Sequence, residues 1–251
     1  MAAGCIGCHT ANAAGAVPYA GGRTLDTPFG KFYGPNITPH PQHGLGKWSL
    51  ADFRRALQLG ERPDGAHYYP AFPYPSFTGM TDADVGDLWA YLRSLPPADR
   101  ANRPHELRFP YDWRGLLTVW KWLFFSPQRF AADPQAPAPV NRGAYLVNNL
   151  GHCGECHSPR NFLGGPKKER RLAGGLLPEG RVPNLTPTRM KKWNDDQLKE
   201  YLRTGTAPEG DPPADSMYEV IRNTTSRLTP QDLAALIAYL RALPPLPDEP
   251  K

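Results

Sequence analysis

Two segments of the chain, residues 5–9 (Cys-Ile-Gly-Cys-His) and 153–157 (Cys-Gly-Glu-Cys-His), share one pattern of reactive side chains. In each segment two thiols lie one helical turn apart, and a histidine follows the second thiol. The thiols can add to the two vinyl groups of a porphyrin, and the histidine can then bind the iron as its proximal ligand. The pattern predicts two covalently bound haem c groups, attached through Cys5, Cys8, Cys153 and Cys156 and ligated by His9 and His157.

A zinc site built from the same four cysteines is the alternative use of these thiols. The separation between Cys8 and Cys153 is far larger than the spacer of a usual zinc ribbon, and zinc gives no reason for a histidine after each pair. The chain has 4 Cys in total, so no thiol remains for a disulfide, a nucleophile or an iron–sulfur cluster. A visible absorption spectrum separates haem from zinc.

Composition limits the class of protein and its partners. A length of 251 residues is enough for two domains, and 30 Pro and 24 Gly favour short helices joined by ordered loops. The formal net charge of +5 favours an acidic protein partner. Basic residues are spread along the chain, and we expect the densest group, 167–171, to be a solvated loop, so nucleic acid is not an expected partner.

Covalent haem attachment takes place outside the cytoplasm, so we expect an exported protein that is periplasmic if its source is bacterial. Residues 140–150 before the second motif are a plausible leading helix, but Cys5 has no such segment before it and no signal peptide precedes it. We therefore expect an upstream signal or anchor. The chain has no apolar run of about 18 residues, so any membrane association is expected through upstream sequence or partner subunits.

The two halves of the chain repeat the elements that must position these motifs. In each half a Lys-Trp pair precedes a good helix N-cap, Ser49 or Asn194, and a helix is predicted from there to a glycine, over 50–59 and 195–203. Amphipathic closing helices are predicted over 82–95 and 230–243.

These repeats predict an all-α protein with two haem domains in tandem, residues 1–97 and 140–251, joined by a Pro-rich linker over 98–139. The most hydrophobic stretch of the chain, residues 113–125, lies in this linker. It is expected either to pack against the haem domains and set their spacing, or to form a docking surface for a partner subunit or a membrane.

The chain resembles the tandem di-haem class I c-type cytochromes that serve periplasmic dehydrogenases, such as the cytochrome subunits of alcohol, gluconate and nicotinate dehydrogenases. The segments that carry this resemblance are residues 68–74, 153–161, 183–186 and 210–217. The resemblance implies two class I cytochrome c domains. It also implies an electron relay from a dehydrogenase subunit to a downstream acceptor, with no substrate chemistry of its own.

The resemblance also implies roles for a proline and a tryptophan in each half. Pro18 and Pro166 each lie nine residues after a motif histidine, where class I cytochromes c often place a proline whose carbonyl accepts the Nδ1–H of that histidine. Trp48 and Trp193 are expected near the haem edge, with their indole N–H groups available to a propionate. Each tryptophan could equally be a plain core residue.

The sixth ligands are implied by the same resemblance. Met217 lies seven residues past Gly210, where the family places its axial methionine, so haem 2 is expected to be ligated by His157 and Met217. The aligned residue of the first half is Phe72, which cannot ligate iron. His67, or alternatively Met80, is the expected substitute, and an open sixth position is the remaining possibility. Weaker candidates are His40, His43 and Tyr74.

Two functions from different classes are compatible with these residues. The first is an electron-transfer cytochrome, more a subunit of an oxidoreductase complex than an enzyme. The second is a di-haem enzyme, peroxidase-like or a small-substrate oxidase, in which haem 1 is open. Peroxide turnover or cyanide binding by the oxidised protein distinguishes the two.

Overall fold

The computed structural model describes residues 3–248 and shows two compact units, an N-terminal unit over Gly4–Arg129 and a C-terminal unit that begins at Phe130. The outermost residues of the predicted domains, 1–2 and 249–251, lie outside the described part. The residues predicted as a linker divide between the units, since 98–129 fold with the first and 130–139 with the second.

The elements of the N-terminal unit are mostly short. They are α1 (Cys5–Cys8), β1 (Thr24–Thr27), β2 (Gly30–Tyr33), α2 (Leu50–Leu59), α3 (Tyr74–Phe77), α4 (Asp82–Arg93), β3 (Glu106–Leu107) and α5 (Gly115–Phe124). The three strands form one small antiparallel sheet in the order β1-β2-β3.

The C-terminal unit has a similar succession of elements, and here a helix precedes the cysteine motif. Its elements are α6 (Ala138–Tyr145), a π-helical turn (Leu146–Leu150), α7 (Gly154–His157), a 3-10 turn (Lys168–Arg170), β4 (Gly175–Leu177), β5 (Gly180–Val182), α8 (Pro187–Met190), α9 (Asp195–Thr204), α10 (Asp215–Asn223), a second 3-10 turn (Thr225–Arg227) and α11 (Pro230–Ala242).

Each unit therefore contains a small β-hairpin that the all-α prediction omitted. In each hairpin the second strand begins at a glycine, Gly30 with φ 125° and Gly180 with φ 133°. Such backbone angles favour glycine because it has no Cβ. The hairpins are short enough that helices remain the main regular structure, as expected for tandem domains of this kind.

Hydrogen bonds between neighbouring residues explain where α2 and α9 begin and end. Both helices lie where the sequence predicts them. Ser49 accepts a hydrogen bond from the backbone N–H of Asp52, whose carboxylate accepts one in return from the backbone of Ser49. The helix ends at Gly60, which has φ 64°. α9 repeats this arrangement between Asn194 and Gly205.

The core of the C-terminal unit forms where α6 crosses the closing helix α11. Gly143 of α6 lies directly against the backbone of Ala235, where an added Cβ would be 1.9 Å from the carbonyl oxygen. This close approach lets the two helices bury a shared apolar face. The fully packed residues around it are Val147, Leu172, Leu198, Leu236, Ile237 and Leu240.

The hydrophobic stretch of the predicted linker forms α5 and packs on the N-terminal unit. Leu117 is buried, the ring of Phe125 lies 4.9 Å from the ring of Tyr74, and the amine of Lys121 donates to the carbonyl of Leu59 at 2.8 Å. Among residues 3–248, no helix combines the length and apolar character needed to cross a bilayer.

Candidate haem-binding sites

Each cysteine motif lies on a single helical turn, the first on α1 and the second on α7, whose N-cap residue is Cys153. Residues three apart on such a turn face the same side, so each pair of thiols points in one direction. All four cysteines are thiols rather than disulfides. Burial, with a smaller contribution from the neighbouring thiol of each pair, raises the pKa of Cys5 to about 11 and that of Cys153 to about 12. Neither thiol is therefore a thiolate nucleophile at neutral pH.

Neither unit by itself holds the ligands that the zinc alternative requires. Within the described residues, no group of three or more His, Cys, Asp or Glu side chains converges so that it could hold a metal ion. A structural zinc site needs four such ligands around one point.

The histidine of each motif is oriented by one backbone carbonyl. Nδ1 of His9 lies 2.7 Å from the carbonyl oxygen of Pro35, and Nδ1 of His157 lies 2.8 Å from that of Pro183. A carbonyl can only accept, so Nδ1 carries the proton and Nε2 keeps its lone pair. Burial lowers the pKa of both histidines and keeps them neutral. This is the state that an axial iron ligand requires, so the residues present fit a haem.

The acceptors predicted from the sequence, Pro18 and Pro166, are not the partners of these histidines. Pro18 is exposed, and Pro166 forms an isolated bridge with Arg160. The chain returns to each histidine only after the hairpin, 26 residues later, at Pro35 and Pro183. Both prolines lie in the repeated Pro-Asn-x-Thr segment, so the sequence repeat contained the signal.

An asparagine after each of these prolines anchors the carbonyl-bearing loop. Asn36 is buried, accepts from the backbone N–H and hydroxyl of Thr38, and donates to the carbonyl of Ala98 at 2.8 Å. Asn184 and Thr186 make the corresponding bonds to the segment that follows α11. The loop that orients each histidine is thereby fixed to the end of the closing helix, a role that sequence reasoning missed.

The two tryptophans predicted near the haem edge are both half-buried. The indole N–H of Trp193 donates to the carboxylate of Glu209 at 3.0 Å, and its ring packs against Tyr201 at 5.1 Å. Its N–H is therefore engaged by Glu209 rather than free for a propionate. Trp48 donates its backbone N–H to the carbonyl of Leu45, and its haem contact stays a prediction.

Met217 lies in the first turn of α10 and is half-buried. Ile221, one helical turn later, is buried. Residues four apart on a helix share a face, so Met217 lies on the inward side of α10. This placement is compatible with a role as sixth ligand.

His67 is held by a cation in the N-terminal unit. Its Nδ1 lies 3.1 Å from the amine of Lys121, which is itself fixed by the carbonyl of Leu59. An ammonium donates, so Nδ1 accepts and the proton lies on Nε2. Burial and, second, the charge of Lys121 lower the pKa of His67. Neither nitrogen then offers a free lone pair to an iron, which counts against His67 as a ligand.

Met80 does not present a free ligand either. Its side chain is only 1% exposed, so protein atoms surround the thioether, and the residue directly precedes the N-cap of α4. Phe72, at the position aligned with Met217, is half-buried and contacts the rings of Tyr68 at 5.3 Å and Phe77 at 5.9 Å.

The weaker histidine candidates are engaged as well. Nδ1 of His40 accepts from the backbone N–H groups of Gln42 and His43, and the rings of His40 and His43 stack 5.1 Å apart. Tyr74 is fully buried against the ring of Phe125. None of these side chains supports a sixth ligand in the N-terminal unit.

Sequence comparison identifies the family of both halves. The sequence profile described as "Cytochrome c" matches residues 1–96 and 140–244. The chain is 46% identical over 248 residues to a diheme cytochrome c-type protein of Cereibacter sphaeroides, covering 97% of this chain and 83% of that protein. It is 41% identical over 242 residues to a nicotinate dehydrogenase subunit of Pseudomonas putida, covering 95% of this chain but 20% of the relative.

A third relative is the fructose dehydrogenase cytochrome subunit of Gluconobacter japonicus, which is 38% identical over 249 residues. The match covers 97% of this chain and 51% of that subunit. The chain thus spans about half or less of the dehydrogenase subunits that it matches, and most of the Cereibacter protein.

Proposed function

The chain belongs to the cytochrome c family as two tandem copies of its domain, and we propose that it relays electrons from a periplasmic dehydrogenase subunit to a downstream acceptor. It carries two covalently bound haem c groups and functions in electron transfer. Each haem supplies a one-electron iron couple when bound. The observation that supports the relay most directly is the pair of Nδ1–carbonyl bonds at His9 and His157, made in the same way in both units.

Different residues of the chain attach and ligate the haem at each site. Cys5, Cys8, Cys153 and Cys156 provide the covalent attachment. His9 and His157 present Nε2 to the iron because Pro35 and Pro183 hold the proton on Nδ1. Met217 would supply a thioether to haem 2, which would raise its reduction potential.

The dehydrogenase partner is inferred from the names of the relatives and from the positive net charge, which suits an acidic docking surface. Periplasmic location follows from covalent haem attachment. Association with a membrane through upstream sequence or through partner subunits is part of the same proposal.

Substrate-dependent reduction tests the relay. Oxidised holoprotein is added to a periplasmic and membrane extract of the source organism, and one substrate is supplied at a time: an alcohol, a sugar, an aldonic acid or an N-heteroaromatic carboxylic acid. We expect one class to produce the reduced α band, and a heat-treated extract to produce none. Oxidation of a substrate by the purified chain alone would show that it is an enzyme rather than a relay.

A second candidate function, ligand binding at an open haem 1, is favoured by the N-terminal unit. His67 is engaged by Lys121, Met80 is enclosed, and Phe72 stands where the aligned residue is Met217. We expect the oxidised holoprotein to bind one cyanide per chain. We also expect haem 1 to have the lower potential, so that electrons pass from haem 1 to haem 2.

Phe72→Met is the sharpest test of that arrangement. It should abolish cyanide binding and add a second near-infrared sulfur-to-iron band, because it introduces a thioether at the aligned position. His67→Ala and Met80→Ala are the matched controls and should leave the haem 1 spectrum unchanged. A spectral change in either control would identify that residue as the sixth ligand instead.

A further inference from the structure

The outward surface of α5 has the opposite polarity from that of an ordinary surface helix. Its outer face consists of Thr118, Val119, Trp122 and Leu123, all exposed, with Trp122 at 81%. A surface helix of a soluble protein normally turns its charged side chains outward and its apolar stripe inward. Here the single polar residue on the outer face is Thr118.

The one lysine of α5 points the other way. The Lys121 side chain is 12% exposed, and its amine contacts the carbonyl of Leu59 at 2.8 Å, Nδ1 of His67 at 3.1 Å and the carboxylate of Glu61 at 3.8 Å. These polar contacts with the body of the unit fix the rotation of the helix about its axis. The apolar face is therefore held outward rather than left there by a loose segment.

Two more exposed aromatic side chains precede α5, and the ring of Trp113 lies beside Gly115 at the start of the helix. Phe109 is 87% exposed and Trp113 is 65% exposed, in the segment that leads into α5. We call the outer face of α5 together with Phe109 and Trp113 the α5 patch. It lies between the two regions that match the cytochrome c family, residues 1–96 and 140–244, so the haem-binding domains themselves do not account for it. Exposed apolar surface of this kind marks an interaction site.

The charges around the patch indicate what it contacts. Apart from the inward-pointing Lys121, residues 108–129 contain three basic side chains, Arg108, Arg114 and Arg129, against one acidic side chain, Asp112. Two of the arginines are fixed in place by carbonyls of the unit, Arg114 by that of His67 at 2.9 Å and Arg129 by that of Thr78 at 2.8 Å. The segment that carries the patch therefore has a net positive charge, which complements an anionic lipid surface.

The chemistry of the patch also favours lipid over protein. A protein interface carries about one hydrogen bond per 100–200 Å², and the outer face of α5 offers few groups to make them. A helix lying in the bilayer interface needs none along its buried face, and tryptophan is enriched at that depth because its indole N–H reaches the headgroups. We propose that the α5 patch docks the protein on an anionic lipid bilayer surface, with Trp122 and Phe109 inserted at the interface.

Co-sedimentation of the holoprotein with vesicles tests this docking. Binding is read from the Soret absorbance of the pellet, with vesicles of phosphatidylcholine mixed with phosphatidylglycerol and with vesicles of phosphatidylcholine alone. We expect clear binding to the mixed vesicles and weaker binding to the neutral ones. The double variant Phe109→Ser/Trp122→Ser should lower the partition coefficient about tenfold or more. Arg108→Ser should lower it about fivefold, an effect that salt reduces.

A matched control exists in the C-terminal unit. Phe162 and Leu176 are 86% and 78% exposed, so Phe162→Ser/Leu176→Ser removes a comparable exposed apolar surface elsewhere. This variant should bind the mixed vesicles as the unaltered protein does. An equal loss in the control, absence of binding by the unaltered protein, or a Trp122-dependent dimer in sedimentation velocity would overturn the proposal. The Soret spectrum and melting temperature of each variant show that it remains folded.

Discussion

The two units hold their motif histidines in the same way but differ at the positions that set iron chemistry. The Nδ1–carbonyl distances are 2.7 Å at His9 and 2.8 Å at His157, and both carbonyls follow their histidine by 26 residues. At the position aligned with Met217, the expected sixth ligand of haem 2, the N-terminal unit has Phe72, which cannot ligate iron. The two units thus share the residues that attach the haem and orient the histidine, but they differ at the position aligned with Met217.

The closing helices of the two units, α4 and α11, also differ in how they pack. α11 buries an apolar face against α6 through Gly143, whereas α4 packs on α2 and buries only Val85 and Leu92. When the two helices are aligned at their N-caps, the position of Ala235 corresponds to Asp87, which is exposed. Among the described residues, the packing around α11 is therefore closer than that around α4, and packing changes at α11 should cost more.

The largest expected effect separates the two haems. Met217→Ala should lower the potential of haem 2 by about 200 mV, roughly 5 kcal/mol for a one-electron couple, because the thioether that stabilises the reduced iron is lost. A redox titration measures it. Met190→Ala, which removes another partly buried methionine of the same unit, is the control. Survival of the near-infrared sulfur-to-iron band in Met217→Ala would contradict the assignment.

The next effect separates the two closing helices. Gly143→Ala should destabilise the C-terminal unit by about 3 kcal/mol, since its Cβ would overlap the carbonyl of Ala235. Gly86→Ala on α4 meets nothing within 4 Å and should stabilise that helix by up to about 1 kcal/mol. Denaturant unfolding of the holoprotein measures both. Equal effects in the two variants would show that the difference in packing is not real.

A smaller effect should be shared by both units. Asn36→Ala and Asn184→Ala should each cost about 2 kcal/mol, because each leaves the buried N–H of a threonine without its acceptor. Each should also loosen the proline carbonyl, so the matching haem alone should change its spectrum. Unfolding curves and Soret spectra test this. Strongly different costs for the two variants would show that the loops carrying Pro35 and Pro183 are not equivalent.

The smallest effect concerns the helix N-caps. Ser49→Ala and Asn194→Ala each remove a capping box and should cost about 1 kcal/mol. The exposed Thr118→Ala on α5 lies outside any cap and serves as the reference. A cost at one cap only would show that tertiary packing, rather than local hydrogen bonding, controls one of the two helices.

What the sequence could predict depends on how local each interaction is. The capping boxes at Ser49 and Asn194 lie within four residues, so the patterns alone were sufficient. The carbonyls that accept from His9 and His157 depend on a hairpin that brings distant residues back, so the sequence alone points to the nearer prolines, nine residues away, instead. The contact between the amine of Lys121 and Nδ1 of His67 joins residues 54 apart, so no local sequence pattern indicates it.

The 26-residue separation between each histidine and its carbonyl has a consequence for the order of maturation. A single helical turn with two thiols forms from neighbouring residues, whereas the carbonyl arrives only after the intervening loop has closed. We therefore expect the two thiols of each unit to take up their positions before its imidazole has a fixed tautomer. Attachment of a porphyrin to these thiols would then not require the completed fold, whereas the orientation of each histidine would require it.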